Sequence, residues 1–461
     1  MDRTLEPIIL VPDNSQARRS RWEKFQPAFI VASSTALVFT VCGINFSFGV
    51  WQELYESMSK TPNTPFTGAT PAQIDLIGTL SIALMTIGAP FTTAWTKQYS
   101  PSAVVCSGSI IYSVALILAS FSHSLWHFIL TQGILLGVGT CMTYMPPVTV
   151  APTWFSQNRG LVMGIILSGT GTGGVVWPLA FRSLIESVGF RNTLRITACI
   201  AFALNMTAGL FMKWPASQIA RIEAEKAANP RSKSRNLFLI PVVDWRVARS
   251  RQFAAHALGA ALQSAAYYTP VFFFSAFART LGYSTTSSAN FIAISNGANA
   301  LSRVAIGYFA DRLGRLNTLL GTTFIAAVAV LTLWLPASLA SSQSTSSALF
   351  IVFSILYGIF ASAYVSLFPA SLVELFGIQN FVGVNGALYM VRGLATLLGT
   401  PVAGVLIRSN QSQSANPKNY TNTSIMVGVL MAAATVAVFW TRFEAVFSME
   451  GAQSHRRKWI I

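Results

Sequence analysis

Three residues at helical spacing, Asn296, Asn299 and Arg303, offer the clearest chemistry in this chain. At positions i, i+3 and i+7 they share one helix face, which presents two amides and a guanidinium. The surrounding stretch is apolar, and a guanidinium held at membrane depth is costly, so a chain that keeps one there uses it. Arginine grips a carboxylate through two parallel hydrogen bonds, which suits an organic acid. The alternative is a structural arginine capped by neighbouring carbonyls or side chains. Arg392, in Tyr389-Met390-Val391-Arg392-Gly393, is a second cation inside an apolar run. It serves either as a second anion contact or as a side chain snorkelling from a lipid-facing position. Asn45, in the first apolar stretch, is a further polar candidate for substrate binding.

The turn Asp311-Arg312-Leu313-Gly314-Arg315 closes the run that contains Arg303. Asp311 can pair with an arginine or a helix N-terminus in one conformation and release it in another, so Asp311, Arg312, Gly314 and Arg315 are expected to form a gate. The plainer reading is a turn that sets topology. No Asp or Glu falls in the middle of an apolar segment; Asp75, Asp311 and Glu374 sit near segment ends. A proton carrier, if one exists, is then peripheral, a histidine (His123, His127 or His256), or the carboxylate of the substrate itself. Tyr144, Trp177, Tyr267, Tyr268 and Tyr364 are candidates for cavity walls. Gly169-Thr170-Gly171-Thr172-Gly173-Gly174 satisfies G-x-G-x-x-G but lies within one continuous apolar span, without the strand and opening helix a dinucleotide site requires. Small residues there, with Gly133, Gly137 and Gly139, allow helices to approach closely, although the threonines are also candidates to line a cavity. Cys42, Cys106, Cys141 and Cys199 have no metal-ligand spacing and are expected to pack as small apolar residues. No metal or cofactor is expected.

The elements that must position these residues are membrane helices. Of 461 residues, 52% are apolar and 10% charged, with mean hydropathy +0.53. Soluble domains carry about 25% charged residues. A hydrocarbon core about 30 Å thick needs roughly 20 apolar residues per helix. Twelve segments meet that need: 28–51, 72–95, 103–122, 126–150, 160–181, 192–213, 252–278, 285–310, 317–336, 348–371, 380–407 and 424–443. The expected fold is an all-α integral membrane bundle of two pseudo-symmetric six-helix halves.

The net charge of +16 is a topology signal rather than a sign of nucleic-acid binding. With both termini cytoplasmic, 22 of the 31 Lys and Arg fall on the cytoplasmic side and seven outside, the positive-inside asymmetry. The N-terminal residues do not read as a signal peptide. The sequons at Asn410, Asn419 and Asn422 crowd one loop that this orientation places outside, where glycosylation occurs. The division is a tail (1–27), a six-helix half (28–213), a basic cytoplasmic linker (214–251), a second half (252–443) and a tail (444–461). Within the linker, residues 219–226 are expected to form a short surface helix that ends before Pro230, either regulatory and lipid-binding or simply solvated. Residues 307–315 find a degenerate counterpart in 88–97, where a glycine and a cation survive, as expected for repeated halves around a midplane site.

At the level of motifs the chain resembles the major facilitator superfamily, through Gly307 and the Asp311–Arg315 turn. More narrowly, it resembles the monocarboxylate porter family within that superfamily, especially fungal-type members. That resemblance rests on residues 43–52, on Asn158-Arg159-Gly160 leading into Ser168–Leu179, on Gly189-Phe190-Arg191 through Arg195-Ile196, and on Asn296–Arg315. It implies that Arg303 meets a substrate carboxylate. Some members place an aspartate where this chain has Asn299, and animal-type members use a lysine in the first helix, where it has Asn45-Phe46-Ser47. The expected function is transport of a small organic acid or related metabolite by alternating access, with or without protons, across the plasma membrane or an internal membrane such as the vacuole. Efflux of a less polar secondary metabolite is the alternative. A non-transporting nutrient sensor is another, with the expectation of long signalling tails that the short ends here do not meet. An integral-membrane enzyme would need a His/Asp/Glu cluster at the membrane face, which is not seen. The partners expected are the substrate and the bilayer.

Overall fold

Prolines and glycines set the helix boundaries. Pro71 and Pro101 open helices whose N-caps, Thr70 and Ser100, accept the backbone N–H of Gln73 and Ala103. Gly189 (φ 78°) and Gly377 (φ 71°) take up left-handed backbone that a side chain would strain, and each breaks a long helical run into two spans. The computed structural model describes residues 21–228, 243, 245–408 and 416–448.

Its spans are α1 (Phe25–Ser59), α2 (Pro71–Ile87 with Ala89–Gln98, bent by 45° beside Gly88), α3 (Pro101–Ser120) and α4 (Leu125–Trp154). Arg159–Leu210 holds α5 (159–188) and α6 (190–210). The second half has α7 (Arg251–Thr280), α8 (Thr285–Leu313), α9 (Arg315–Leu339), α10 (343–376), α11 (378–408) and α12 (Pro417–Phe447). Seven continuous helical runs are long and apolar enough to cross a membrane, and the bent pair is an eighth. Two of the seven each contain two spans, and α7 and α8 complete the twelve. These last two are less apolar because they carry His256, Gln263, Asn296, Asn299 and Arg303. Among the described residues the structure is helical, without strands.

The glycine run of α5 explains how the halves meet. Gly169 and Gly173 face α1, where an added Cβ would collide with the Thr35 and Phe39 carbonyls. Gly171 and Gly174 face α8 instead, against Ala300 and Asn296. One helix is thus pressed between a neighbour in its own half and one in the other, at a distance only glycine permits. A second seam joins α2 to α11, with Gly386 against Pro90 and Thr93 and Gly393 against Thr86 and Ile87.

The linker helix runs over Ala216–Ala228, longer at both ends than the sequence suggests, while Pro230 lies outside the described residues. It docks on the first half through Trp214, whose indole donates to the Thr96 carbonyl, and through an ion pair between Lys97 and Glu225. The bundle end that carries it is called the linker end below; the opposite end is the far end. At the far end Arg191 and Arg195 cap α3, donating to the Ser120 and Ser122 carbonyls and to the Ser120 hydroxyl. His123 bonds Arg191 there. Cys42 and Cys141 are buried as expected, but Cys106 is half-buried and Cys199 exposed on the outer face of α6, where a small apolar thiol suits lipid as well as it suits a core.

Candidate functional site

Asn296, Asn299 and Arg303 lie on the face of α8 that meets α5 and the bundle centre. All three are buried, Arg303 with only 1% of its surface accessible. The helical spacing fixes that shared face, and the α5 glycines let it come close. Asn296 Nδ2 donates to the Gly174 carbonyl at 3.2 Å, across the seam. Arg303 Nη1 donates to the Leu167 carbonyl of α5 at 2.6 Å. A carbonyl cap therefore exists in this conformation, but it satisfies only part of the side chain. Arg303 Nε and Asn299 Oδ1 are buried without a hydrogen-bond partner. Arg303 has no carboxylate partner among the described residues.

Asn296 and Asn299 border a small central cavity lined also by Phe46, Thr170, Tyr267, Tyr268, Ser295 and Tyr357, while Arg303 lies one turn further along α8, outside its lining. Phe46 and Tyr268 stack across the two halves at 5.8 Å, and the Tyr357 hydroxyl donates to the Tyr267 carbonyl at 3.0 Å. The cavity has only about 10 Å³ available to the centre of a water molecule, so it is shut to anything larger. Phe46, Tyr357 and Ser295 had no signal in the sequence beyond their residue type. Tyr267 and Tyr268 line this wall, whereas Trp177 spends its indole N–H on the Phe39 carbonyl.

Asn45 is placed elsewhere. Its amide donates to Thr140 Oγ1 at 3.2 Å and accepts from Ser81 Oγ at 3.1 Å, tying α1, α4 and α2 together inside the first half. With both ends of its amide occupied it is a structural link, and the substrate-binding role expected of it does not follow from this geometry. Arg392 is 3% exposed, so it does not snorkel to lipid. Its guanidinium lies 4.8 Å from the Phe368 ring centre, 5.4 Å from Tyr364 and 5.6 Å from Tyr389, and donates to Gln263 Oε1 at 3.4 Å.

The charged turn joins the halves at the linker end. Asp311 accepts the backbone N–H groups of Gly160 (2.9 Å) and Leu161 (2.8 Å), the exposed donors of the α5 N-terminus. Arg315 donates to Asp311 Oδ1 through Nε (3.0 Å) and Nη2 (2.8 Å), and through Nη1 to Glu374 of α10 (3.4 Å). Directly beneath, Gly160 and Gly307 touch backbone to backbone. Gly314 (φ 95°) supplies the left-handed turn that lets Arg315 fold back. Arg312 stands apart from this latch, its guanidinium 4.3 Å from the centre of the Tyr308 ring. An arginine and a helix N-terminus are the expected partners of Asp311; that the N-terminus is that of α5, and that Glu374 joins through Arg315, was not legible because both come from other spans.

Among the sequons, Asn422 is exposed at the start of α12 and Asn419 half-buried beside it, while Asn410 lies outside the described residues. No group of three or more His, Cys, Asp or Glu positioned for a metal occurs among the described residues.

Comparison with known proteins agrees with this architecture. The chain is 25% identical over 402 residues to an MFS-type transporter of Gibberella moniliformis, covering 87% of this chain and 88% of that one. It is 26% identical over 424 residues to the agnestins efflux protein of Paecilomyces divaricatus, covering 91% and 89%. Among solved structures, a human organic anion transporter superposes with a TM-score of 0.61 at 13% identity, covering 90% of this chain and 99% of that one, which establishes the shared fold. The family profile of the Major Facilitator Superfamily matches residues 28–345, and the chain belongs to that superfamily of transporters.

Proposed function

We propose that this transporter exports an organic acid metabolite, holding its carboxylate at Arg303 near the bilayer midplane. The observation that carries the reading is the Arg303 guanidinium: buried on the seam between the halves, without a carboxylate partner, and with Nε unmatched beside the unmatched Asn299 oxygen. A substrate carboxylate accepts from the arginine, and a substrate hydroxyl or N–H donates to Asn299, so one acid with an adjacent donor satisfies both. Export rather than uptake is favoured by the relative whose name is that of an efflux protein. The resemblance to monocarboxylate porters supports the acid; Asn299 in place of an aspartate leaves proton coupling to the substrate carboxylate or a histidine.

Transport follows from rocking of the halves about this site. Here the linker end is closed by Asp311 and the glycine contacts. The basic linker and the positive-inside rule support a cytoplasmic linker end with both termini on that side, and an outer loop in which Asn410, Asn419 and Asn422 are available as glycan acceptors; the plasma membrane is the proposed location. Purified protein in liposomes, given a panel of labelled monocarboxylates with and without an imposed pH gradient, tests the proposal. Transport that vanishes in Arg303→Gln is the expected result. Folded protein that moves none of the acids, or an Arg303→Gln variant as active as the parent, overturns it.

A further inference from the structure

The buried chemistry of the second half does not end at Arg303. Around Arg392, on α7, α10 and α11, sit further polar atoms with no hydrogen-bond partner: Arg392 Nη1, Gln263 Nε2, Tyr364 Oη and both ring nitrogens of His256. His256 is fully buried and stacks on Phe368 at 5.2 Å, the ring over which Arg392 also lies. Folded proteins satisfy nearly all such atoms, so a cluster of them around an unpaired guanidinium is a site rather than an accident of packing. The rings of Phe368, Tyr364 and Tyr389 offset part of the charge of Arg392. They leave Nη1 free, and with it two further donors, the Gln263 amide and the Tyr364 hydroxyl. Donors converging on a cation select an anionic oxygen.

Charge makes the same point. Arg303 and Arg392 are the two cations of the bundle interior, and neither meets a carboxylate among the described residues. Tyr268 lines the central cavity beside Asn299, and the Arg392 guanidinium lies 5.6 Å from the ring of Tyr389. A monoacid at Arg303 leaves one buried positive charge uncompensated; a molecule with two acidic groups compensates both.

We propose that Arg392, Gln263 and Tyr364 form a second anion subsite, and that the preferred substrate carries two acidic groups, one for Arg303 and one for Arg392. This rests on the reading of Arg303 as a carboxylate site. It is tested with full-length protein in lipid nanodiscs and two probes of nearly equal shape, p-toluate and terephthalate, which differ by a methyl group against a carboxylate. Terephthalate is expected to bind at least tenfold more tightly. Arg392→Gln should erase that preference, while Arg303→Gln should weaken binding of both probes. Tyr364→Phe, which removes only the unmatched hydroxyl, should reduce terephthalate affinity about threefold, and it decides the matter if Arg392→Gln does not fold. Equal affinities in the parent with p-toluate binding still dependent on Arg303, or a terephthalate preference that survives both Arg392→Gln and Tyr364→Phe, overturn the second subsite alone. If neither probe binds, or Arg303→Gln binds both as the parent does, the carboxylate reading falls and this one with it.

Discussion

Replacing Asp311 by Asn should open the linker end, and the size of the effect can be worked from its contacts. The Asp311 side chain is 8% exposed and accepts four hydrogen bonds, two from the α5 N-terminus and two from Arg315. Asparagine retains one acceptor oxygen, and its NH2 group faces a backbone N–H or the guanidinium, donor against donor. Losing a charge-assisted hydrogen bond costs about 1.5–3 kcal/mol. Losing the anion at the helix N-terminus adds about 0.3–1 kcal/mol. A total of about 3 kcal/mol corresponds to a shift of about 150-fold in the equilibrium between the conformations closed and open at that end. The contact between Asp311 and α5 exists only when the halves meet there, so the cost falls on the closed form. Spin labels at Ser156, exposed between α4 and α5, and at Leu313, exposed at the end of α8, report the separation by pulsed dipolar spectroscopy. Cys199 and Cys106 would first be replaced by serine. The expected result is a short distance in the parent and a longer, dominant one in Asp311→Asn. Glu374→Gln should shift the populations far less, because Arg315 Nη1 reaches Glu374 only at 3.4 Å at a partly exposed site and such pairs are worth up to about 1 kcal/mol. Superimposable distance distributions for parent and Asp311→Asn would refute the latch.

The α5–α8 seam should be intolerant where it is tightest. In Gly164→Ala the new methyl group overlaps the Arg303 backbone oxygen, which cannot move aside, so transport should fall at least tenfold. Gly49→Ala meets nothing within 4 Å and should leave transport intact with stability changed by no more than about 1 kcal/mol. Asn45→Ala removes the partner of Ser81 and Thr140 and should cost about 1–3 kcal/mol, seen as a lower melting temperature in detergent with probe affinity at Arg303 unchanged. Loss of probe affinity without loss of stability would return Asn45 to the binding site. Asn422→Gln should remove a glycan-dependent shift in gel mobility from protein made in a eukaryotic host; a shift that persists through substitution of all three sequon asparagines would count against glycosylation of that loop.

The twelve spans were legible because each must carry its own apolar length, a local requirement written into contiguous residues. The face shared by Asn296, Asn299 and Arg303 was legible for a similar reason, since one helix fixes it. What escaped was every feature built between distant segments. Asn45 stands in its own segment as a candidate for substrate binding, and nothing there shows that Thr140 and Ser81, 95 and 36 positions away, share its amide. The depth of Arg392 depends on α7 and α10, so its own neighbours in sequence could not choose between snorkelling and burial. The turn at Asp311 suggests a gate, but the amides it takes lie 150 and 151 residues earlier in the chain. The twofold use of the α5 glycines was visible only as a run of small residues; which glycine faces α1 and which α8 required the partners.

The two halves differ in how completely their polar groups are matched, and that difference bears on the proposed site. Of the eighteen unmatched buried side-chain atoms among the described residues, thirteen belong to the second half, including those of Arg303, Asn299, Arg392, Gln263 and His256. The first half pairs its central polar residues internally, Asn45 with Thr140 and Ser81, and Tyr55 with Gln132 at 2.9 Å. At the seam it presents glycines and backbone carbonyls, that of Leu167 holding Arg303, beside side chains such as Phe46 and Thr149. A carbonyl that binds the arginine in the empty, closed form competes with a substrate carboxylate for the same donor. A ligand that wins this competition removes a bond between the halves at the moment it binds, and so lowers the cost of parting them. If Arg303 holds the substrate as proposed, the Leu167 carbonyl sets the threshold for parting the halves, and the unmatched side chains of the second half are those a substrate would meet. Substitutions at Asn299, Gln263 or Tyr364 should therefore change which acids are accepted, whereas those at Thr140, Ser81 or Gln132 should change stability and leave the order of preference among acids as it was.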